Sequence, residues 1–355
     1  MNILQVLVQR NVCLLRCKHC SVRAGATANA RLVPLEIAKD IFARVADLRE
    51  ASQVSIEHLF LQWGDEELCG DDDVTLHEYV ASLPTTHIPV FSTNGLWLGN
   101  LGDDEARQTL ERLKRAGKTQ LQASFHGLES THDAFVGRRE AFRTLVRAVS
   151  YALSAKLTVR CQVFVNRRNA REVRDLCDML KNECGIADSN MSFPVTNLIG
   201  RALQHEKLRL DAPTLALLPQ RVQANLSSLL PETRLREQVA ANTDALSDHL
   251  SDVLNPQDRL LIKITECEDV LFSTAWAAST GHAVCLGNLA SCSLVDMFDQ
   301  VQELRAEENR SLPDLRQLAE FADDKNQRIY TARDGYLLWM FRMRKSNNTS
   351  EGICR

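Results

Sequence analysis

Three cysteines close to the amino terminus, in the run Asn11-Val-Cys13-Leu-Leu-Arg-Cys17-Lys-His-Cys20, are separated by three and then two residues. With eleven cysteines in 355 residues, chance yields this triplet on the order of one time in a hundred. Three thiolates so close together can each hold one iron of a cubane, and because complete protein ligation takes a fourth cysteine, one iron stays open. Zinc is the alternative. It needs a fourth donor, such as His19 or a remote residue, and zinc motifs usually come as two separated pairs. Of the other cysteines, Cys161, Cys177 and Cys184 stand in apolar or helical surroundings and read as small buried hydrophobes.

The triplet follows directly on a short alternating run, so the first element to place is a strand. Six such strands are predicted, at 3–9, 58–62, 89–92, 120–124, 158–164 and 190–193, each a short β-branched or apolar stretch. Between them, 34–49, 73–82, 103–116, 140–154 and 169–184 carry apolar residues at helical spacing. Pro34 opens the first, where its missing N–H costs nothing, and Asn169 is placed to cap the last. This order predicts parallel strands with right-handed helical crossovers. From 207 to 256 the chain reads as helical, with breaks at Pro213, Pro219 and Pro231. Beyond it, 260–265 with 269–272 suggest a two-stranded element, followed by helices at 294–307 and 313–322.

Composition narrows the function classes. A chain with 45% hydrophobic residues folds around a core, and a net charge of -4 gives no basic field for nucleic acid or an anionic membrane. No signal peptide or membrane span is read, so the expected location is cytoplasmic, where thiols stay reduced and serve metal or redox work.

The Cys-x3-Cys-x2-Cys spacing resembles the signature of the radical S-adenosylmethionine (SAM) superfamily, and the resemblance runs over roughly the first 205 residues. It implies an α/β fold: a partial (βα)6 TIM-like barrel with active residues at the C-terminal strand ends. It further implies a [4Fe-4S] cluster on Cys13, Cys17 and Cys20, whose open iron chelates the methionine moiety of SAM. Reductive cleavage then yields a 5′-deoxyadenosyl radical that abstracts hydrogen from substrate. His19 matches a position that packs near the SAM adenine. Gln62-Trp63-Gly64-Asp65-Glu66 stands where relatives carry Gly-Gly-Glu-Pro: Gly64 is kept, Trp63 replaces the first glycine, and Asp65 takes the glutamate's place toward the SAM amino group. Ser92-Thr93-Asn94-Gly95 resembles the end of the third strand, with Ser92 or Asn94 toward the ligand, and Ser124 in Ala123-Ser124-Phe125-His126-Gly127 matches a serine that contacts SAM. Val136 occupies a place where arginine is common; Arg138 or Arg139 could replace that contact, or form a solvated basic helix start. Phe193-Pro194 with Gly200-Arg201-Ala202 resembles the exit of the sixth strand.

The same resemblance divides the chain into a barrel at 1–205, a helical linker at 206–257 and a small α+β C-terminal module of SPASM/Twitch type at 258–355. Leu286-Gly287-Asn288-Leu289 carries that likeness, but Ser273 falls near a cluster-cysteine position and only Cys267, Cys285 and Cys292 lie within reach. The expectation is a degenerate cap without an auxiliary cluster. With the motif beginning at residue 13, neither a cobalamin-binding domain nor a leader-peptide domain is expected before it. The leading expectation is a radical SAM enzyme acting on a small metabolite in natural-product biosynthesis, reduced by a donor such as flavodoxin or ferredoxin. The runner-up is a peptide maturase performing epimerisation or cross-linking on a short peptide. A zinc- or cluster-binding interaction protein without radical chemistry is the third.

Overall fold

A computed structural model of the chain describes residues 3–8, 10, 13–20, 33–51, 56–63, 68–195, 202, 205, 207–226, 230–231, 259–265, 267–272, 284–310 and 329–330. Strands and helices alternate: β1 (Ile3–Val8), α1 (Leu35–Ala51), β2 (His58–Gln62), α2 (Asp71–Ala81), β3 (Val90–Thr93), α3 (Asp103–Arg115), β4 (Gln120–Phe125), α4 (Glu129–Val136), α5 (Ala141–Ser154), β5 (Thr158–Val163), α6 (Val173–Asn182) and β6 (Met191–Ser192). This is the expected series of six βα units, with α4 as an addition. The short helices α7 (Ala212–Leu215) and α8 (Gln220–Asn225) follow, then β7 (Leu230–Pro231), β8 (Arg259–Ile264), β9 (Asp269–Phe272), β10 (Val284–Asn288), α9 (Leu294–Arg310) and β11 (Ile329–Tyr330). The helix expected at 313–322 and most of the predicted linker, from 232 to 258, lie outside the described residues.

The barrel wall is built in two arcs. One is a four-stranded parallel sheet in the order β3-β4-β5-β6; the other is five-stranded, in the order β10-β9-β8-β1-β2. Each arc buries its outer face against helices. Leu4, Val6, Val8, Leu59 and Leu61 pack on Ile41, Phe42 and Val45 of α1, whose apolar residues recur at helical spacing along 17 residues. Leu121, Ala123 and Phe125 of β4 pack on Leu110 and Leu113 of α3 and on Leu145 and Val149 of α5. Helix α2 joins the two cores, with Val74 in one and Leu76 in the other.

The inner face of the strands carries several polar residues. Gln5, Gln62, Ser92, Gln122, Ser124 and Gln162 all stand on the faces opposite those cores, and the Gln5 amide donates to Gln62 across β1 and β2. The two-stranded element expected near the C-terminus is found and does more than expected. β8 runs parallel to β1 over six register pairs, from Ile3↔Arg259 to Val8↔Ile264, and β9 returns antiparallel on its other side. The C-terminal region thereby extends the barrel sheet.

Candidate cluster-binding site

The cysteine loop leaves the C-terminal end of β1 and is held by backbone hydrogen bonds to the last turn of α4. The Arg16 N–H donates to the Val136 carbonyl at 2.8 Å and the Lys18 N–H to that of Phe135 at 3.1 Å. Gly137 ends α4 in a left-handed conformation, φ 70°, which glycine adopts without strain. A side chain there would place its Cβ 3.1 Å from the Arg16 Cβ. Leu15 turns inward onto Leu96, Val136 and Ala141, and Cys13 and Cys17 pack against that small cluster. The Asn94 side chain, at the end of β3, directs its N–H at the Cys13 sulfur, 3.5 Å away, while its oxygen accepts from the Leu96 N–H at 2.9 Å.

All three thiols of the loop are partly accessible and free of disulfides. Among the described residues, no three His, Cys, Asp or Glu side chains converge as ligands of one metal ion. A cubane takes each thiolate on a separate iron. The chemistry of the donor set suits such a cluster: three thiols on one short loop, two of them packed on one side, with an amide N–H directed at a sulfur.

Behind the loop lies a box of rings. His19 contacts His126 at 4.4 Å, Phe164 at 4.7 Å and Phe135 at 5.5 Å between centroids, and His126 stacks on Phe135 at 4.5 Å. Burial, with the neighbouring His132, lowers the His19 pKa to about 4; burial lowers His132 to about 4 as well, against the pull of Asp133. His126 is held well below its ordinary value for the same first reason. All three imidazoles are neutral at pH 7. The His19 Nδ1, the His126 Nδ1 and the Asn166 Nδ2 are buried without a hydrogen-bond partner among the described residues. Unmet buried polar atoms are costly, and a polar heteroaromatic ligand among these rings would satisfy them.

Residues 10–180 match the family model described as the Radical SAM superfamily. The chain carries a radical SAM domain. A sporulation killing factor maturation protein, SkfB of Bacillus subtilis, is 27% identical over 173 residues, 48% of this chain and 38% of its own length. A GTP 3′,8-cyclase of Moorella thermoacetica is 29% identical over 176 residues, 48% of this chain and 50% of its own. The chain thus spans half or less of the length of these curated relatives. Among solved structures, SuiB of Streptococcus suis bound to the precursor peptide SuiA aligns with a TM-score of 0.56 at 13% identity, covering 93% of this chain and 75% of that one. The structure of anSMEcpe with bound AdoMet aligns at 0.53 and 13%, covering 98% and 100%. At such identity the likeness is one of fold.

Within the radical SAM domain, Cys13, Cys17, Cys20, His19 and Asn94 come together at one end of the strands. Ser124 stands one residue before the end of β4 and donates to Gln162 of β5 at 3.4 Å, and Ser92 lies on the inner face of β3. Gly64 and Asp65, with Glu66, lie outside the described residues. Asp73, just beyond them, accepts from the Cys69 N–H at 2.6 Å and is raised to about 6, chiefly by burial. Val136 is buried, while Arg138 and Arg139 are exposed. Asn169 does not cap α6. The helix begins at Val173, because Asn169 Nδ2 donates to the Phe164 carbonyl and its oxygen accepts from the Asn166 N–H, which closes a turn first.

Sequence reasoning missed Lys263. On β8 it is level with Leu7 of β1, shares the inner face with Gln5 and Gln62, and its pKa is lowered by burial; a charged residue alternating with Leu260, Ile262 and Ile264 was the available signal. In the C-terminal region Cys267 is exposed at the β8–β9 turn, where its carbonyl accepts from Asn288 at 2.8 Å. Cys285 is among the charges felt by Cys292, whose thiol is raised first by burial. Ser273 lies outside the described residues.

Proposed function

We propose that this chain is a radical SAM enzyme acting on a peptide substrate. The observation that carries the radical reading is the cysteine loop itself, fixed on α4 and met by the Asn94 amide at the mouth of the barrel. Cys13, Cys17 and Cys20 would hold a [4Fe-4S] cluster, and the Asn94 N–H would stabilise the Cys13 thiolate. Bound there, the cluster and SAM would supply radical hydrogen-abstraction chemistry. The chain's residues bind, orient and exclude water. His19, His126, Phe135 and Phe164 offer stacking faces and unmet polar atoms to the adenine, Asp65 an acceptor to the SAM ammonium, and Ser92 and Ser124 hydroxyls at neighbouring strand ends. Reduced Cys-rich loops of this kind suit a cytoplasmic protein, and among the described residues no helix is long and apolar enough to cross a membrane.

The peptide reading draws on the maturation protein SkfB and on the fold shared with SuiB, named with its precursor peptide. The GTP 3′,8-cyclase supports the small-metabolite reading as the second. We divide the chain at 1–205, 206–257 and 258–355 into barrel, linker and a cluster-free cap, with β8 of the cap hydrogen-bonded to the barrel.

The test is anaerobic purification with iron and sulfide analysis, followed by a dithionite and SAM assay for 5′-deoxyadenosine. About four irons per chain with SAM cleavage is expected. Cys17→Ala should abolish the cluster absorbance and the cleavage while circular dichroism stays unchanged. Stoichiometric zinc without SAM cleavage would overturn the reading.

A further inference from the structure

We infer that the outer rim of the cysteine loop is a docking surface for a small acidic one-electron carrier, a flavin or iron–sulfur protein. This rests on the cluster-binding reading of the loop. Leu14, between the first two cysteines, is 63% exposed, the most exposed large apolar side chain among the described residues. Its neighbour Leu15 faces the interior, so the loop presents one apolar residue outward, next to Cys13. Leu14 and Arg138 line one recess of about 270 Å³, floored by Leu96, Trp97 and Asn94, and Asn94 is the residue that reaches the Cys13 sulfur.

Positive charge surrounds this spot. Arg16 is carried by the loop, Arg138 and Arg139 follow Gly137, which lies against Arg16, and Arg168 is close enough to Lys18 to act on its charge. The four arginines are exposed, and none makes an ion pair among the described residues. Other arginines are committed differently: Arg143 pairs with Glu129, Arg147 with Asp103 and Arg167 with Asp211. On the acidic side, Glu140 is exposed beside Arg139, while the Asp133 carboxylate accepts from the Glu140 and Phe142 N–H groups. Among the described residues the rim is therefore net positive, in a chain whose net charge is -4.

An exposed apolar residue flanked by cations that make no ion pair among the described residues suits a transient electron-transfer contact, in which charge steers the encounter and a small patch seats it. The substrate has a different approach, since it must reach the inner strand ends beside Ser124 and His126. One electron leaves the reduced carrier, which is oxidised by one unit, and enters through the thiolate loop, where the cluster is reduced by one.

The experiment uses the reconstituted full chain, with an acidic flavodoxin as probe. Binding of oxidised flavodoxin is measured by titration at low and high ionic strength, and delivery by the rate at which reduced flavodoxin bleaches the cluster absorbance. The comparison is wild type against Arg16→Glu/Arg168→Glu and the neutral Arg16→Gln/Arg168→Gln. Expected is an association slowed about tenfold or more by the reversal and less by the neutral pair at low salt, the differences closing at high salt. Bleaching by dithionite and 5′-deoxyadenosine formed with dithionite should be unchanged, which separates failure of docking from failure of the enzyme reading. Flavodoxin binding indifferent to both variants and to salt overturns the inference. So does a reversal that weakens only the binding of a peptide substrate.

Discussion

His132 shows how one side chain serves the site through its protonation state. Its Nδ1 accepts from the His126 backbone N–H at 3.3 Å, which only the neutral ring can do. Burial holds it near pKa 4, against about 6.5 in an unfolded chain. As pH falls below 6.5 the unfolded chain takes up a proton that the folded chain refuses, so stability is lost, and the loss levels off below pH 4. At pH 5 this one imidazole accounts for about 2 kcal/mol. Asp73 acts with the opposite sign. Raised to about 6, it keeps its proton in the fold at a pH where the unfolded chain releases it, so it favours folding as pH falls. The two are separated by difference. Urea unfolding at pH 7 and pH 5 is expected to show wild type losing about 2 kcal/mol more than His132→Asn, whose amide oxygen keeps the acceptor for His126. Equal losses in the two proteins would refute the assignment.

At the scale of elements, the contact that shapes the site is between the cysteine loop and α4, and Gly137 lies against Arg16 within it. In Gly137→Ala the left-handed φ costs about 1–2 kcal/mol, and the new Cβ presses on Arg16 at 3.1 Å. Gly185 is the control, having φ 71° with nothing within 4 Å of an added Cβ. Both variants should lose similar backbone stability, but only Gly137→Ala should lower iron per chain after reconstitution; equal iron in both would show that the loop is not seated on this turn. Helix α4 was also the element that the sequence hid. Its eight residues, Glu129–Val136, are too few to display a helical period, although Phe135 and Val136 ahead of Gly137 carry a C-terminal signature. By contrast α1 and α5 repeat their apolar positions over 17 and 14 residues and were legible. The cysteine triplet could be read because its ligands are adjacent in sequence. The ring box could not, because His19, His126 and Phe164 meet only when the ends of β1, β4 and β5 are brought together.

At the scale of the molecule, the pairing of β8 with β1 decides whether the barrel can stand without the C-terminal region. β1 is an interior strand, with β2 on one side and β8 on the other, and β8 brings Leu260, Ile262 and Ile264 into the core under α1. Losing three fully buried aliphatic side chains forfeits about 5–9 kcal/mol, comparable to the whole margin of a typical domain. The truncated sheet would also expose the unpaired edge of β1, a template for association. A chain ended at residue 205 is therefore expected to be insoluble or oligomeric by size-exclusion chromatography and to show no cooperative melt. A soluble monomer with a sharp transition would mean that the β1–β8 ladder is dispensable and the barrel self-sufficient. The ladder has a further consequence for chemistry: it carries Lys263 to the level of Leu7, on the polar face that also bears Gln5 and Gln62. The C-terminal region thus contributes a cation to the barrel's inner wall as well as closing its edge, and a change in that region can alter what the barrel accepts without touching the cysteine loop.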